Sequence, residues 1–561
     1  MPVMTRNEAL AQLTAEGAAY EITSGLVNER PSRYFKKAPL TLGDLFKETA
    51  SDLPFTVYQE ERETFASIYA KSAALAQALK HECKVAKGDR VAIAMRNYPD
   101  WVVSYMAITS LGAVVVALNA LWQTDELAYG ISHVDARWLI ADDERISRIG
   151  ETESQGCQLI SVRSGPLPDV AFQIESLIES NLGQPMPEAD IDPDDAATIF
   201  FTSGSTGFPK GAVSSHRNIV SALFSWELDL AARQMETGIT PQASAHQPAT
   251  LLAVPLFHTT GANAVMLQSF RAQRKMVSMY RWDPAIAATL IEQEHITSFI
   301  APAAMTGDLV QHAQAASVDL GALLSVGGGG APRAPAQVRS INDTFPSAQP
   351  STGWGMTETN AIGTGIGGDD YLARPASSGR ASAVLDLIVV DEDGSPLPPL
   401  SPGELWVRGA SVIKGYWNRD DANAETFSDG WLKTGDIAYL DEEGYLFIVD
   451  RLKDLVIRGG ENISAKEIED VLHLSAAVQE AAVVSMPHER LGEGVCAFVI
   501  LTETAPEDPD DVIEKLLEQM AESGLAKQKR PEKFIFVDDF PRTASGKIRK
   551  DMLRETAKAN D

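Results

Sequence analysis

Phe200-Phe201-Thr202-Ser203-Gly204-Ser205-Thr206-Gly207-Phe208-Pro209-Lys210-Gly211 separates two β-prone runs, Ala197 to Phe201 and a second that begins at Ala212. Between them stand four hydroxyl side chains, three glycines and a lysine, with almost nothing to bury. Glycine lets backbone N–H groups turn toward an anion, and Ser/Thr hydroxyls add short donors. Lys210 adds a mobile positive charge. This is the chemistry of a polyphosphate cradle, although a polar hairpin loop has the same composition. The stretch is not a Walker loop, because Lys210 follows a proline and no Ser/Thr comes after it. It is not a nucleophile elbow either, since Ser203 stands where the first glycine belongs.

Outward from this loop the chain alternates helix and strand. Phe65 to Leu79 has helical spacing, Val91 to Met95 is a strand, Trp101 to Leu111 a helix, and Ala113 to Leu118 and Trp138 to Ala141 are strands. The alternation resumes with strands Leu251 to Val254, Met276 to Met279, Ile296 to Ile300 and Leu323 to Val326. Pro284 to Glu294 is a helix that starts on proline. The fold class is therefore α/β, with parallel sheets covered on both faces. From about Gly379 short strands and turns take over (Leu385 to Val390, Glu404 to Arg408, Tyr445 to Val449), a β-rich subdomain over about 379–450 that could form a small distorted barrel. Beyond Arg451 the order becomes strand, helix, two strands, helix, strand. Residues 1–450 thus read as a large N-terminal domain, and 451–561 as a small α+β C-terminal domain with a junction at 450–453.

At 561 residues, with 44% hydrophobic and 22% charged side chains, the chain is globular and longer than one core needs. Its net charge of −29 argues against nucleic acid as a partner. Cys83, Cys157 and Cys496 lack metal spacing and suit a reducing, cytoplasmic setting. Met1 to Gly17 has no apolar signal core. Trp101 to Gln123 holds no charge and is long enough to span a bilayer, but its polar residues and Gly112 favour a helix followed by a buried strand. No integral membrane segment is expected.

Further motifs follow in order. Pro255-Leu256-Phe257-His258 ends on a histidine. Val326-Gly327-Gly328-Gly329-Gly330-Ala331-Pro332 carries a glycine run that costs up to about 1 kcal/mol per residue where order is required. Gly353-Trp354-Gly355-Met356-Thr357-Glu358 sets a carboxylate after a hydroxyl, an oxygen donor fit for Mg²⁺. Lys433-Thr434-Gly435-Asp436 places a carboxylate in a turn. Asp450-Arg451-Leu452-Lys453-Asp454, Gly459-Gly460 and Pro541-Arg542-Thr543-Ala544-Ser545-Gly546-Lys547 complete the set. Gly363-Thr364-Gly365-Ile366-Gly367-Gly368 satisfies the dinucleotide pattern, but no clear strand precedes it, and Asp369, Asp370 and Pro375 oppose the helix that should follow.

Together these motifs resemble the adenylate-forming enzymes: acyl-CoA synthetases, firefly luciferases and peptide-synthetase adenylation domains. The resemblance covers most of the chain, and its wording is most like bacterial fatty-acyl-CoA ligases. It implies that ATP is held by Thr202, Ser203, Gly204, Ser205, Thr206, Gly207 and Lys210. It sets Gly329, Gly330, Ala331 and Pro332 along the adenine. Gly353, Trp354, Gly355, Met356 and Thr357 complete the nucleotide site, with Trp354 stacking where relatives use tyrosine and a phenol hydrogen bond lost. It implies Glu358 as the Mg²⁺ ligand, Asp436 and Arg451 at the ribose, and Lys453 as the pivot. His258, Gly327 and Gly328 lie beside the acyl group, Gly459 and Gly460 near the CoA channel, and Lys547 bridges carboxylate and α-phosphate from an exposed loop.

The implied reaction joins a carboxylic acid, ATP and CoA through an acyl-adenylate. His258, where amino-acid-activating relatives carry aspartate, favours a plain acid. The glycine run and Ala303-Ala304 suggest a roomy apolar tunnel without a charged selector, so a medium- or long-chain fatty acid leads and aryl or cinnamate-like acids follow. The alternatives are loading of a separate carrier protein, a fused one being unexpected after Lys547, and a non-catalytic nucleotide binder. Small molecules are the partners, and monomer and homodimer both stay open.

Overall fold

The computed structural model describes residues 4–559 except 154, 155, 166, 168, 169, 203–208, 239–245, 317, 319, 330–332, 460, 503, 504, 507, 544 and 545. Two large sheets share one core. The first runs, in spatial order, Gly415–Tyr416, Lys210–Ser215, Ala196–Thr202, Val114–Ala117, Arg90–Ala94, Trp138–Asp142, Gln158–Val162 and Val170–Gln173. From Ala196–Thr202 outward every neighbouring pair is parallel. Val114–Ala117 is buried at every position, which is why it reads as an unbroken apolar run rather than an alternation.

The second sheet is parallel over Pro54–Tyr58, Lys275–Ser278, Ala249–Leu252, Ser298–Ala301, Ser325–Gly328 and Gln349–Thr352. It then turns antiparallel through Thr364–Gly367, Gly379–Ala381, Tyr445–Arg451, Trp431–Leu440, Gly403–Gly409 and Leu385–Val390. The β-rich stretch is thus an open extension of this sheet and not a closed barrel. Gly363 to Gly368 falls inside the antiparallel part. A strand occupies Thr364–Gly367, and a helix does form at Gly368–Ala373, because Asp369 and Asp370 fall in its first turn, where the helix dipole favours acids.

Trp101 and Tyr105 of helix Pro99–Ser110 stack in the shared core, and nearly every residue of that helix is buried. A helix apolar all round belongs inside a protein or a membrane. Here strand Val114–Ala117 follows at once, and among the described residues no helix is long and apolar enough to cross a membrane. All three cysteines are buried, and none forms a disulfide among the described residues.

The smaller domain has its own five-stranded sheet of Val456–Arg458, Glu461–Ile463, Val478–His488, Gly492–Leu501 and Lys533–Phe536. Its central strands alternate faces. Val483, Val495, Ala497 and Val499 pack under helices Ala465–Leu472 and Pro509–Glu522, while Ala482, Val484, Cys496 and Phe498 pack under helix Lys550–Ala559. That last helix, and the hairpin strand Glu461–Ile463, extend the element order expected from sequence.

Candidate active site

Three parallel strands of the second sheet end together. Ala301 pairs with Gly328 and Gly327 with Ser351, so Pro302, Gly329 and Gly353 leave the sheet side by side at its carboxyl edge. Open α/β sheets bind ligands at that edge. Gly353 and Gly355 are required by close approach: an added Cβ would lie 2.3 Å from the Thr364 carbonyl oxygen and 2.5 Å from that of Ala361. Gly327, Gly328 and Gly329 line a cavity of about 330 Å³ together with His258, Thr357 and Lys547.

His258 precedes a π-helical segment, Thr260–Leu267. The loop before it is clamped by buried Asn97, which accepts from the Leu256 N–H at 2.9 Å and donates to the Val254 carbonyl at 3.1 Å. Burial pushes the His258 imidazole down to about 4, and the Lys547 charge acts in the same direction. The ring is therefore neutral near pH 7. Its Nε2 is buried with no hydrogen-bond partner among the described residues.

Trp354 is 8% exposed and donates its indole N–H to Asp436 Oδ2 at 2.7 Å. The hydrogen bond expected to vanish with the phenol is thus replaced by one inside the protein. Arg451 Nε approaches Asp436 Oδ1 at 3.1 Å, so both oxygens of this carboxylate are oriented, each with a lone pair to spare. These three side chains and Lys453 line a second cavity of about 670 Å³ between the domains.

Glu358 is also buried, and the Tyr416 hydroxyl donates to its Oε1 at 2.6 Å. Lys210 Nζ lies 4.3 Å from the centre of the same tyrosine ring. Glu358 Oε2 has no hydrogen bond among the described residues, which also hold no cluster of three or more His, Cys, Asp or Glu fit for a metal. One free carboxylate oxygen suits Mg²⁺, which keeps waters and phosphate oxygens as its other ligands.

Lys547 closes the site from the smaller domain, and its loop is not the exposed one expected from sequence. Gly546 packs against Pro302, and Lys547 is half-buried on the boundary of both cavities. The Thr543 N–H donates to the Lys547 carbonyl at 2.7 Å, and the Lys547 N–H to Thr543 Oγ1 at 3.1 Å. Desolvation pushes the Lys547 ammonium down to about 8; Arg451 and Lys453 add to this, while Asp436 and Glu358 oppose it.

Other expected residues stand apart. Thr202 pairs with Lys210 across the hairpin, its hydroxyl donating to the Lys210 carbonyl at 3.4 Å. Ser203, Gly204, Ser205, Thr206 and Gly207 lie outside the described residues, as do Gly330, Ala331, Pro332 and Gly460. Gly459 sits in a left-handed turn (φ 61°), donates to the Leu491 carbonyl at 2.8 Å, and lines neither cavity.

Sequence reasoning missed Tyr416 and Arg333. The Arg333 guanidinium is buried on the second cavity; its Nη2 donates to Thr306 Oγ1 at 3.1 Å and to the Gly327 carbonyl at 3.4 Å, which leaves Nε and Nη1 without partners among the described residues. An arginine directly after Gly-Ala-Pro was the one available signal. The tunnel expected to lack a charged selector is also corrected: the cavity beside His258 reaches Arg6, Asp229, Arg233, Glu236 and Arg380.

Residues 46–417 match the AMP-binding enzyme family, and residues 467–547 match the AMP-binding enzyme C-terminal domain. The chain is 30% identical to 2-succinylbenzoate–CoA ligase of Bacillus velezensis over 95% of its own length and 99% of that protein. It is 31% identical to long-chain-fatty-acid–CoA ligase FadD13 of Mycobacterium tuberculosis, covering 84% of this chain and 88% of that one. In structure it resembles o-succinylbenzoate CoA synthetase of Bacillus subtilis in complex with its acyl-adenylate intermediate, with a TM-score of 0.76, 28% identity, and coverage of 91% of this chain and 96% of that one. With both family regions matched in order and relatives aligned along nearly the full length, the chain belongs to the AMP-binding enzymes, in the acyl-CoA synthetase branch of the adenylate-forming superfamily.

Proposed function

We propose that this protein is an AMP-forming acyl-CoA synthetase acting on a carboxylic acid with an apolar or aromatic body. The observation that carries this reading is Lys547, set by the smaller domain on the boundary of a cavity holding His258 and a cavity holding Trp354, Asp436 and Arg451. A carboxylate oxygen of the acid attacks the α-phosphorus of ATP, and the bond to pyrophosphate breaks. The CoA sulfur then attacks the acyl carbon, losing its proton, and AMP leaves with the electron pair. The substrate carboxylate is its own nucleophile, so the protein supplies positioning and charge.

In this reading neutral His258 borders the acid without repelling or titrating it, and the Lys547 ammonium faces the charge that develops on the α-phosphate. Trp354 and Asp436 hold adenosine, with Arg451 at the ribose. Thr202, Lys210 and the loop between them hold the outer phosphates, and Glu358 would hold Mg²⁺, which would neutralise phosphate charge. Residues 451–561 pivot at Lys453, taking Lys547 out and bringing the Gly459-Gly460 turn in for the CoA step.

The charged far rim of the His258 cavity favours an acid that is not a plain long alkyl chain. A medium- or long-chain fatty acid is the second reading, favoured by the apolar wall of Trp226, Leu230, Val254 and Ile300. AMP release measured with and without CoA across a panel of alkyl and aryl acids tests the proposal. CoA-independent release followed by transfer to a carrier protein would replace CoA as the acceptor. Absence of ATP–pyrophosphate exchange with every acid would remove the reading.

A further inference from the structure

The cavity that holds His258 and Lys547 has a second, charged end. Gly367 pairs with Ser351, and Gly368 lies against Gln349, so the rim near them stands toward the start of strand Gln349–Thr352. Lys547 enters at the other end, beside Pro302 and Gly353. Between the two ends the wall is mostly apolar, with Trp226, Leu230, Val254, Ala264, Ile300 and Ile362.

Three arginines reach the far rim, and two are neutralised there. Arg6 pairs with Asp229 at 2.6 Å, and Ser382 Oγ donates to the other oxygen of that carboxylate at 2.6 Å. Arg380 pairs with Glu236 at 3.3 Å and lies over the Tyr445 ring. Arg233 differs: among the described residues its guanidinium has neither an ion pair nor a hydrogen bond. It is half-buried, and the backbone makes room for it. A Cβ on residue 367 would lie 2.6 Å from its Nη1, and one on residue 368 would lie 2.2 Å from its Nη2. Asp370 lines the same rim without an ion pair, and its charge acts on Arg374 and Tyr445.

A partly desolvated cation without an ion-pair partner costs free energy that a bound anion restores. Lys547 is the other cation of this cavity with no ion pair among the described residues, and it stands at the reacting end. Two cations without ion-pair partners, at opposite ends of a cavity with an apolar wall between them, complement a molecule with two anionic ends and an apolar middle. We propose that the acid carries a second carboxylate, remote from the one that is activated, and that Arg233 binds it. This inference rests on the ligase reading above. Strand Gln349–Thr352 sets the length scale: at about 3.3 Å per residue, the two carboxylates stand on the order of 10 Å apart.

The test uses the full-length enzyme, ATP, CoA and matched acids: straight-chain monocarboxylates and aryl acids, each against its analogue with a second, terminal carboxylate. AMP release is measured for the parent, Arg233→Met and Arg233→Lys. The parent is expected to prefer the diacid of the best-used pair at least tenfold in kcat/KM. Arg233→Met should lose that preference through a higher diacid KM with kcat little changed, while its monoacid kcat/KM stays within twofold. Arg233→Lys should restore part of the preference. A parent that turns over monoacids but no diacid overturns the inference and leaves the ligase reading intact. Equal losses for both acids in Arg233→Met also overturn it, as they mark a structural role. No AMP release with any acid removes the ligase reading and the inference with it.

Discussion

Trp354 and Asp436 are joined by a 2.7 Å hydrogen bond from indole N–H to carboxylate, made in a buried setting between the second sheet and its antiparallel extension. The tryptophan therefore has two separable functions, a flat face toward the interdomain cavity and a donor that fixes a carboxylate. Trp354→Phe removes only the donor. A hydrogen bond to a charged group contributes about 1.5–3 kcal/mol net, part of which reaches the ligand through a loosened Asp436. The ATP KM should rise about tenfold, with the acid KM unchanged. Trp354→Ala should cost more, because a stacking face adds about 1–3 kcal/mol. If the phenylalanine variant matches the parent in ATP KM, Asp436 needs no orientation from Trp354.

The Lys547 ammonium makes a prediction in pH. Desolvation brings its ionisation down to about 8, so the charged form is complete below that pH and is lost above it. For acyl-AMP formation, kcat/KM for ATP reports the free enzyme and should fall about tenfold per pH unit above 8. Bound phosphates hold the proton, so the limb in kcat should lie at higher pH. Lys547→Arg should abolish the limb whatever its residual rate, because guanidinium stays charged. A limb that persists in the arginine variant belongs to another group.

What the sequence could disclose depended on how local each cause is. Strand Ala196–Thr202 and helix Pro284–Gln293 were visible because a β-prone run and a proline start are properties of neighbouring residues. Helix Lys550–Ala559 was not, since Leu553 and Ala557 are its only buried side chains and a stripe that narrow is lost among charges. The motif residues Trp354, Asp436 and Lys547 were legible one at a time, yet their mutual geometry is set by strands and loops far apart in the chain. Tyr416 against Glu358, and Arg233 beside Gly367, have no sequence signal at all, because each is a contact between elements with no local partner pattern.

His216 predicts acid sensitivity of the fold. It is fully buried at the start of helix His216–Thr237, and its Nδ1 accepts from the Leu42 N–H at 3.2 Å. Desolvation pushes its ionisation from 6.5 to about 4, more than Asp195 and Asp44 restore. The unfolded chain thus takes up a proton below about 6.5 that the folded chain refuses until about 4, so stability falls as pH falls through that window. At pH 5 this one group costs roughly 2 kcal/mol. His216→Asn keeps an acceptor for Leu42 and should flatten the fall in Tm between pH 7 and 5. An equally steep fall in the variant would assign acid sensitivity elsewhere.

Lys453 tests whether the two half-reactions use two arrangements of the domains. Among the described residues its N–H makes no backbone hydrogen bond, while its carbonyl accepts from Arg554 Nη2 at 3.1 Å. Lys453→Pro therefore removes no hydrogen bond from the arrangement that places Lys547 in the site, yet it fixes φ and narrows the range of Leu452 before it. Lys453 is the third residue of a turn closed by the Asp454 N–H on the Arg451 carbonyl at 2.8 Å, a position that disfavours proline, so acyl-AMP formation should fall severalfold. Thioester formation from preformed acyl-AMP and CoA should drop by at least a hundredfold if the Gly459 turn must replace Lys547. Lys453→Ala separates chain stiffness from loss of the ammonium and should keep most of both rates. Equal loss of both half-reactions in the proline variant would mean a distorted junction, and undiminished thioester formation would mean that CoA reacts without any rotation at residue 453.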